Sequence, residues 1–519
     1  MSHSDSLLQP ECAEAAETKR RHFMWGVATS GYQAEGGYNG TGQPLNNWVW
    51  AESSGDVPAS GRSADFWHRY PADFDLCQNL GLNAFRLSLE WSRIQPTREL
   101  PTDRRAMLPP PPFDDEALHH YAQLLAACRR AGQEPIVTLH HFTHPAWLGM
   151  DAWLNPETVT HFVDYVRHTV DYLLRVLPEE FHCEPPHFYI TVNEPNMLCI
   201  NHYISRAFPS SVGGGIGKAA LCLGHLLEAH ARACLAIREI YAAHDAKRPA
   251  VTFNNYSSDL YWMDVALTDL FLCRAHGVAR RDVHAHLHHK MLEFNRAFAA
   301  EKLMPNHSPR YHIGQWIKRW HESIGAAPLR TPAWQRVINL IYQSNEPLID
   351  YIAFDYYDPF IAHALRWPHF GDYEPRRRSL RDWLLEAVAS KWWDWRVLPE
   401  GLSFFAHQLA KRGLPLLIAE NGMAQRRRTD NTAFRRRDQF ARSVYLREHV
   451  RIVKELVNEG CPLIGYLHWS LFDNYEWGSY TPRFGLYHID FTGEPDRIAI
   501  DYLGDNPSQT YAESIKPPA

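Results

Sequence analysis

The chain has 519 residues, of which 45% are hydrophobic and 22% charged, and its formal net charge at pH 7 is −6. This composition is typical of a globular enzyme with a large core, and the charge gives no basic face of the kind that binds nucleic acid. Residues 1–21 contain no apolar core of a signal peptide, and no run of 18 apolar residues predicts a membrane span. Nine scattered cysteines without metal-ligand spacing indicate reduced thiols, so we expect a cytoplasmic protein.

Eight short apolar runs, spaced along the chain, are typical of buried parallel strands. Amphipathic stretches between them, such as 115–131 and 438–459, predict helices. Eight strand–helix units predict the α/β fold class, with a single-domain (β/α)8 TIM barrel that carries loop insertions. The predicted strands are 23–30, 83–91, 134–142, 188–194, 250–256, 351–357, 414–420 and 462–470.

We predict that the barrel occupies residues 21–505, between a flexible N-terminal tail at 1–20 and a C-terminal tail at 506–519. Three segments depart from the strand–helix pattern and are predicted to be insertions: the Pro-rich 95–113, the His- and Arg-rich 257–340 and the basic 425–437. The arginines of the last segment are typical of a solvated face. Because loops at a barrel mouth set specificity, we expect 257–340 to build much of the wall around the leaving group.

Two glutamates follow predicted strands at the edge where barrel enzymes have their active sites. The fourth strand ends in Asn-Glu-Pro at Glu194, and the seventh ends in Glu-Asn-Gly at Glu420. Asn-Gly alone is also a common turn, but the two strands lie on opposite sides of the mouth, so both carboxyls can face each other. Glycoside hydrolysis requires such a pair, one carboxyl to protonate the leaving oxygen and one to attack or stabilise the anomeric carbon.

Several further blocks of sequence resemble those of family 1 of the glycoside hydrolases, the group of β-glucosidases and β-galactosidases. The resemblance runs from about Phe23 to Asp490 and rests on FMWGVATSGYQAEG at 23–36, FRLSLEWSRI at 85–94, WSLFDNYEW at 469–477 and RFGL at 483–486. It implies a retaining β-glycosidase that hydrolyses β-D-glucosides by double displacement through a covalent glycosyl-enzyme intermediate. β-D-Galactosides and β-D-fucosides are further candidate substrates.

The resemblance also implies a role for each matching residue. Glu194 matches the acid/base and Glu420 the nucleophile, whose partners match Arg86 and Tyr357. No cofactor and no metal is implied, and the expected partner is a small-molecule β-glycoside. The residues that match the family's sugar-binding positions are Gln33, His141, Asn193, Trp469, Glu476 and Trp477.

Elementary electrostatics is consistent with these two roles. A cation such as Arg86 would lower the pKa of Glu420 and keep it ionised, whereas the charge of Glu420, about 5 Å away, would raise the pKa of Glu194. When the covalent intermediate forms, that charge disappears, and Glu194 then loses its proton more readily and can act as a base.

Three residues depart from the family pattern. Phe142 stands where the family usually has Trp, Ala419 stands where Thr usually precedes the nucleophile, and Asp355 stands where Asn usually precedes two tyrosines. A carboxylate at position 355 would raise the pKa of the nucleophile, unless Asp355 pairs with an arginine or is protonated.

Other functions are disfavoured or left open by particular residues. A 6-phospho-β-glycosidase is disfavoured because Glu476 is intact and a carboxylate there would repel phosphate, and a thioglucosidase is disfavoured because Glu194 is not Gln. A transglycosylase that uses the same two glutamates stays open, since only the acceptor of the second step differs. A non-catalytic sugar-binding barrel would be expected to lack one of the two glutamates. The preferred sugar, the aglycone and the oligomeric state stay open.

Overall fold

The computed structural model describes residues 23–303, 309–369, 380–428 and 430–517. A ring of parallel strands forms its centre, and a small antiparallel sheet lies outside that ring. The ring contains β1 Met24–Ala28, β2 Ala84–Ser88, β3 Glu134–Thr138, β4 Phe188–Ile190, β5 Ala250–Thr252, β6 Asn254–Tyr256, β7 Ile352–Tyr356, β8 Leu416–Asn421 and β11 Leu463–Trp469, and the small sheet contains β9 Gln425–Arg427, β10 Ala433–Phe434 and β12 Pro482–Arg483.

The order of strands around the ring is β5-β4-β3-β2-β1-β11-β8-β7-β6. Every pair of neighbours is parallel, including β1 with β11, which joins the start of the barrel to its end. Only Phe253 separates β5 from β6, so these two are halves of one barrel strand and the ring closes through it. The predicted (β/α)8 TIM barrel is therefore confirmed, and each of the eight predicted apolar runs overlaps a barrel strand.

Helices surround the ring and cover its outer face. The α-helices are Gly31–Ala34, Val49–Ser53, Phe66–Asn79, Trp91–Ile94, Asp115–Arg130, Glu157–Phe181, Pro195–Tyr203, Ile216–Ala243, Val265–Leu272, Val283–Glu301, Pro309–Ile324, Pro332–Gln343, Leu380–Val388, Pro399–Ala410, Arg442–Asn458 and Pro507–Ile515. Short 3-10 helices lie at Ala146–Leu148, Ala152–Leu154, Tyr261–Met263, Arg280–Asp282, Ala327–Arg330, Ile361–Ala364 and Trp392–Asp394.

Two apolar clusters follow from the alternation of side chains along each strand. Ala28, Ile136 and Leu417 belong to the cluster inside the ring, whereas Val27 and Val137 belong to the larger cluster between the strands and the helices. Residues that follow the strands are therefore delivered to one rim of a packed scaffold.

One helix of the described residues, Ile216–Ala243, is long and apolar enough to cross a membrane by length and composition. However, 72% of its most apolar window is buried inside the protein. It packs against the helices Glu157–Phe181 and Pro332–Gln343, so its apolar faces are accounted for by the core.

The segment 506–519, predicted to be a C-terminal tail, contains a helix. Its residues Pro507–Ile515 form a helix that packs against the helix Arg442–Asn458. Tyr511 is fully buried there and its hydroxyl donates to the carbonyl of Gly26, 2.8 Å away in β1. An apolar ring with one polar end gives a short segment enough burial to dock. The predicted N-terminal tail at 1–20 lies outside the described residues.

Of the predicted insertions, 95–113 contains no helix or strand, and 257–340 is largely helical. The basic stretch 425–437 includes the hairpin of β9 and β10. Its prediction as a solvated face is wrong for two arginines, because Arg427 is 8% exposed and Arg436 6%. Arg436 donates to the carbonyls of Ala424 and Trp395, whereas Arg427 bonds the side chains of His488 and Asn431. Both guanidinium groups are buried with hydrogen-bond partners. Eight cysteines of the described residues are free thiols.

Gly26 offers a test of how tightly the barrel is packed. A Cβ added there would lie 2.3 Å from the carbonyl oxygen of Ala84 in β2, and a clash with backbone cannot be relieved by a side-chain rotation. We expect Gly26→Ala to lower the free energy of unfolding by about 3 kcal/mol or more. Urea denaturation followed by circular dichroism measures it. Gly493→Ala is the matched control, since nothing lies within 4 Å of its added Cβ, and an equal loss in both variants would contradict this account.

Candidate active site

A cavity of about 700 Å³ opens at the rim where the barrel strands end. Eight of the ten site residues predicted from the sequence line it: His141, Asn193, Glu194, Tyr357, Glu420, Trp469, Glu476 and Trp477. The other two, Gln33 and Arg86, are fully buried behind this lining and contact residues within it. The structure thus brings all ten residues together around one cavity.

The backbone delivers Glu194 and Glu420 to this cavity in different ways. Glu420 is part of β8. Glu194 follows β4 at the start of the helix Pro195–Tyr203 with a φ of +36°, a left-handed conformation that costs a non-glycine residue about 1 kcal/mol or more. Carboxyl oxygens of the two residues lie within 4.8 Å of each other. That separation suits a retaining glycosidase, in which the carboxyl groups are about 5 Å apart.

Both oxygens of Glu420 accept hydrogen bonds from the protein. Nη1 of Arg86 donates to Oε1 at 2.7 Å, and the hydroxyl of Tyr357 donates to Oε2 at 2.9 Å. The Arg86 guanidinium is fixed in turn by Thr138, by the carbonyl of Ala419 and by the amide oxygen of Asn193. Every nitrogen of its fork is therefore engaged, and the carboxylate is held in one orientation.

The amide of Asn193 is oriented by its neighbours. Its Oδ1 accepts from Arg86 and, at 2.8 Å, from Asn254, which leaves Nδ2 to face the ring nitrogen Nε2 of His141 at 3.2 Å. Burial, with the charge of Arg86 as a smaller cause, holds the pKa of His141 well below its usual value. A neutral imidazole and a fixed amide donor are suited to binding hydroxyl groups.

Glu476 lines the cavity beside Trp469. Its two oxygens accept from the indole nitrogen of Trp469 at 3.2 Å and from Nε2 of Gln33 at 2.9 Å. Burial raises the pKa of Glu476 to about 8, although both of these hydrogen bonds oppose the shift. Because Gln33 is fully buried and bonded to Glu476, its contribution is to orient that carboxyl.

Aromatic rings form a continuous surface beside these polar groups. The ring of His141 stacks on those of Trp469 and Trp477, with centroids 5.7 and 5.9 Å apart. Phe142, which replaces the usual Trp of the family, packs edge-on against Trp477 at 4.9 Å and against Phe208 at 5.5 Å. The apolar C–H faces of a sugar ring suit such a surface.

The electrostatic conditions of the two glutamates differ. Burial raises the pKa of Glu420, but the Arg86 charge and the hydrogen bonds from Tyr357 and Arg86 oppose the rise. Burial and the nearby Glu420 charge raise the pKa of Glu194 well above its usual value. One carboxyl is thus favoured as a carboxylate and the other as an acid, which is the division of states that a retaining mechanism needs.

Asp355 lies within this cluster, with a carboxyl oxygen within 4.8 Å of both Glu194 and Glu420. It is fully buried and accepts a hydrogen bond from Nδ2 of Asn254. A cation could also be held by three such carboxyls, but the Arg86 guanidinium already supplies positive charge at this point. The carboxyls of Glu194, Asp355 and Glu420 therefore compete for protons.

The predicted contribution of 257–340 to the entrance is wrong. Of that segment, only Ser258 and Met263 line the cavity among the described residues, because its helices pack outside the barrel. Much of the entrance wall comes from the described segments 197–210, 358–364 and 389–395. The last of these includes Trp392, Trp393 and Trp395, while Arg436 holds the Trp395 carbonyl.

Asn254 and this tryptophan cluster were not among the site residues predicted from the sequence. Asn254 follows the irregularity at Phe253, and nothing in the pattern NNY distinguishes its first amide from its second. The spacing WWDW at 392–395 was a usable signal, because three indoles in four residues exceed what a surface helix needs to pack.

Comparison with known proteins assigns the chain to a family. Residues 15–258 and 289–501 match the family model described as Glycosyl hydrolase family 1. The chain therefore belongs to glycosyl hydrolase family 1 and is a retaining O-glycosyl hydrolase with a TIM barrel. The unmatched residues 259–288 lie within the predicted insertion 257–340.

Its relatives in this family have several specificities. The chain is 26% identical to a 6-phospho-β-galactosidase of Leptotrichia buccalis, over 90% of this chain and 93% of that one. It is 28% identical to a β-galactosidase of Sulfolobus acidocaldarius, over 90% of each. The solved structure of a β-glucosidase from Thermotoga maritima with noeuromycin is similar in fold, with a TM-score of 0.64, 20% identity and coverage of 95% of this chain and 97% of that chain.

Two adjacent tyrosines, Tyr356 at the end of β7 and Tyr357 directly after it, provide a test of the electrostatics at Glu420. Tyr357→Phe removes a donor that stabilises the carboxylate, so the pKa of Glu420 should rise and the acidic limb of kcat/KM should move up by about one pH unit or less. Tyr356→Phe is the matched control, since its hydroxyl donates to the carbonyl of Leu398 instead. We would measure pH–rate profiles with an aryl β-glycoside. An unchanged acidic limb in Tyr357→Phe would contradict the assignment.

Proposed function

We propose that the protein hydrolyses unphosphorylated β-D-glycosides, β-D-glucosides foremost, with Glu194 as acid/base and Glu420 as nucleophile. The observation that carries the proposal is the unequal environment of two carboxyls within 4.8 Å of each other. Arg86 and Tyr357 both hydrogen-bond Glu420, whereas Glu194 has no cation bonded to it among the described residues. The free thiols of eight described cysteines support a cytoplasmic location as part of this proposal.

In the first step, the Glu420 carboxylate attacks the anomeric carbon while Glu194 donates its proton to the glycosidic oxygen. The bond from the anomeric carbon to that oxygen breaks, the alcohol leaves neutral, and Glu420 becomes a glycosyl ester. Formation of the ester removes the Glu420 charge, which is one cause of the raised pKa of Glu194. Glu194 is then a carboxylate in an environment that no longer opposes its charge.

In the second step, Glu194 accepts a proton from water as that water attacks the anomeric carbon. The ester bond breaks, the sugar leaves with its original β configuration, and Glu420 returns to the Arg86 guanidinium as a carboxylate. Asn193, held by Arg86 and Asn254, is proposed to donate to the sugar 2-hydroxyl. Such a bond strengthens in the oxocarbenium-like transition state.

Residues around Glu476 support an unphosphorylated sugar. The cavity-lining residues of segment 469–484 are Trp469, Glu476, Trp477, Ser479, Pro482 and Phe484, and no cation is among them. Two oxygens of Glu476, already oriented by indole and amide donors, suit neighbouring sugar hydroxyls. A phosphate on the sugar would meet this acidic group, and the cations that line the cavity, Arg104, Arg206 and Lys391, lie outside this segment.

Chemical rescue tests the two assigned roles. We expect Glu420→Gly to lose activity by about 1000-fold or more, because no other group can form the glycosyl ester. Azide should restore turnover and yield the α-glycosyl azide from a β-glycoside. Glu194→Ala with azide should yield the β-glycosyl azide instead, since the nucleophile is still present. Products are identified by proton NMR, and near wild-type turnover by Glu420→Gly would rule out its role.

A substrate panel tests the proposed specificity. Aryl β-D-glucoside, β-D-galactoside, β-D-fucoside and 6-phospho-β-D-galactoside are compared by kcat/KM on one preparation. We expect the phosphorylated substrate to be on the order of 100-fold poorer than the best neutral one, because like-charge contact costs several kcal/mol. A preference for the phosphorylated substrate would overturn the specificity but leave the catalytic pair in place.

A further inference from the structure

Asp355 places an additional carboxyl beside the catalytic pair, and its surroundings are unusual for an acidic side chain. It is 0% exposed, and its Oδ2 accepts a hydrogen bond from Asn254. Its Oδ1 is buried without a hydrogen-bond donor, and so is Oε1 of Glu194. Carboxyl oxygens of these two residues lie within 4.8 Å of each other. Each of these two neighbouring carboxyls therefore has a buried oxygen without a hydrogen-bond donor.

Charge balance decides the protonation state of this cluster. Glu194, Asp355 and Glu420 share one nearby cation, Arg86, whose donors are engaged by Glu420, Ala419, Thr138 and Asn193. None of these donors reaches Asp355. A buried carboxylate without a paired cation is strongly disfavoured and takes up a proton instead. Once protonated, Asp355 needs an acceptor for its O–H, and the neighbouring carboxyl of Glu194, with its unpartnered Oε1, can supply one.

We propose that Asp355 is a protonated positioning residue that donates a hydrogen bond to Glu194, so that the acid/base is a carboxylic acid pair. The pair holds two protons in the resting enzyme. This inference rests on the proposed role of Glu194 for its consequences in catalysis, but the protonation state itself does not depend on that role.

The ionisable groups that face the pair are few among the described residues. Glu420 of β8 faces it with a negative charge and Arg86 of β2 with a positive one, while Tyr357 at the end of β7 and Tyr256 of β6 are neutral phenols. Burial, followed by the charges of Glu420 and Glu194, raises the pKa of Asp355 well above its usual value. His141, which lies against Asn193, is held neutral by burial.

The pair changes the balance between the two chemical steps. When Glu194 gives its proton to the leaving oxygen, the Asp355 O–H remains to stabilise the new carboxylate by a charge-assisted hydrogen bond. Glu194 is thereby a stronger acid in the first step and a weaker base in the second. Water returns one proton to Glu194 in the second step, so the pair again holds two protons and Asp355 is unchanged over the cycle.

Infrared difference spectroscopy reads the protonation state without relying on turnover. Subtracting the spectrum of Asp355→Asn from wild type at about pH 7.5 should give the C=O stretch of a protonated carboxyl. Asp259→Asn is the matched control, because burial raises the pKa of Asp259 only to about 6, so its difference spectrum should give carboxylate bands. Asp259 accepts from the backbone of Ile361 and does not line the cavity. Carboxylate bands for Asp355 would overturn the proposal.

The pH–rate profile tests independently whether Asp355 is protonated or ionised, because the two states predict opposite shifts of the basic limb in Asp355→Asn. A protonated Asp355 lowers the pKa of Glu194 by donation, and an amide is a weaker donor, so Asp355→Asn should move the basic limb of kcat/KM up by a few tenths to about one pH unit. An ionised Asp355 would instead raise the pKa of Glu194, and its loss would move the basic limb down. The same variant should lose more activity on alkyl than on activated aryl glycosides.

Two further measurements separate failure of this proposal from failure of the variant to fold and from failure of the proposed function. If Asp355→Asn does not fold, carbon-13 NMR of aspartate-labelled wild type should show a protonated side-chain carbon at neutral pH whose signal moves in Glu194→Gln. The absence of such a signal would overturn the proposal. If wild type hydrolyses no β-glycoside, the proposed function fails, while the spectra still report whether Asp355 is protonated.

Discussion

A single buried cation among several buried acids is the constraint on which the site depends. Arg86 has no exposed surface. Its guanidinium donates hydrogen bonds to Glu420, to Asn193, to the hydroxyl of Thr138 and to the carbonyl of Ala419. An ion pair removed from water in this way contributes little to stability, since desolvation offsets the attraction. Its value lies in selecting one carboxyl for ionisation. Burial and the Glu420 charge then raise the pKa of both neighbouring carboxyls, Glu194 and Asp355.

The barrel makes this selection possible because it fixes positions that are remote in sequence. Arg86 ends up next to Glu420 because β2 and β8 contribute to one closed ring. Asn254 reaches both Asn193 and Asp355 because the chain is irregular at Phe253 and then continues as β6. A rigid ring holds these groups without the reorganisation that a flexible site would need, and preorganised charge is what glycosyl transfer requires.

The sequence predicted the ring and its strand-end residues well, for a physical reason. Strands buried on both faces are continuous apolar runs, and a polar residue at the end of such a run is conspicuous, as with Glu194 and Glu420. Helical content in 257–340 was also visible, but the wall of the entrance was not. A helix with its polar face toward solvent has the same amphipathic sequence pattern whether it borders a cavity or the outer surface. The partner of Asp355 was equally hidden, because two acids close in space leave no trace in local pattern.

The hydroxyl of Tyr511 on the carbonyl of Gly26 ties the last helix of the described chain to its first strand. β1 obtains one of its two neighbours from β11, some 440 residues later. On a translating ribosome, β1 is therefore made long before β11 and the helix that carries Tyr511. Pairings of such separation form slowly and leave strand edges open meanwhile. Trp469 and Glu476 of the cavity belong to the same late segment, so the site is incomplete until β11 and the residues after it have been made.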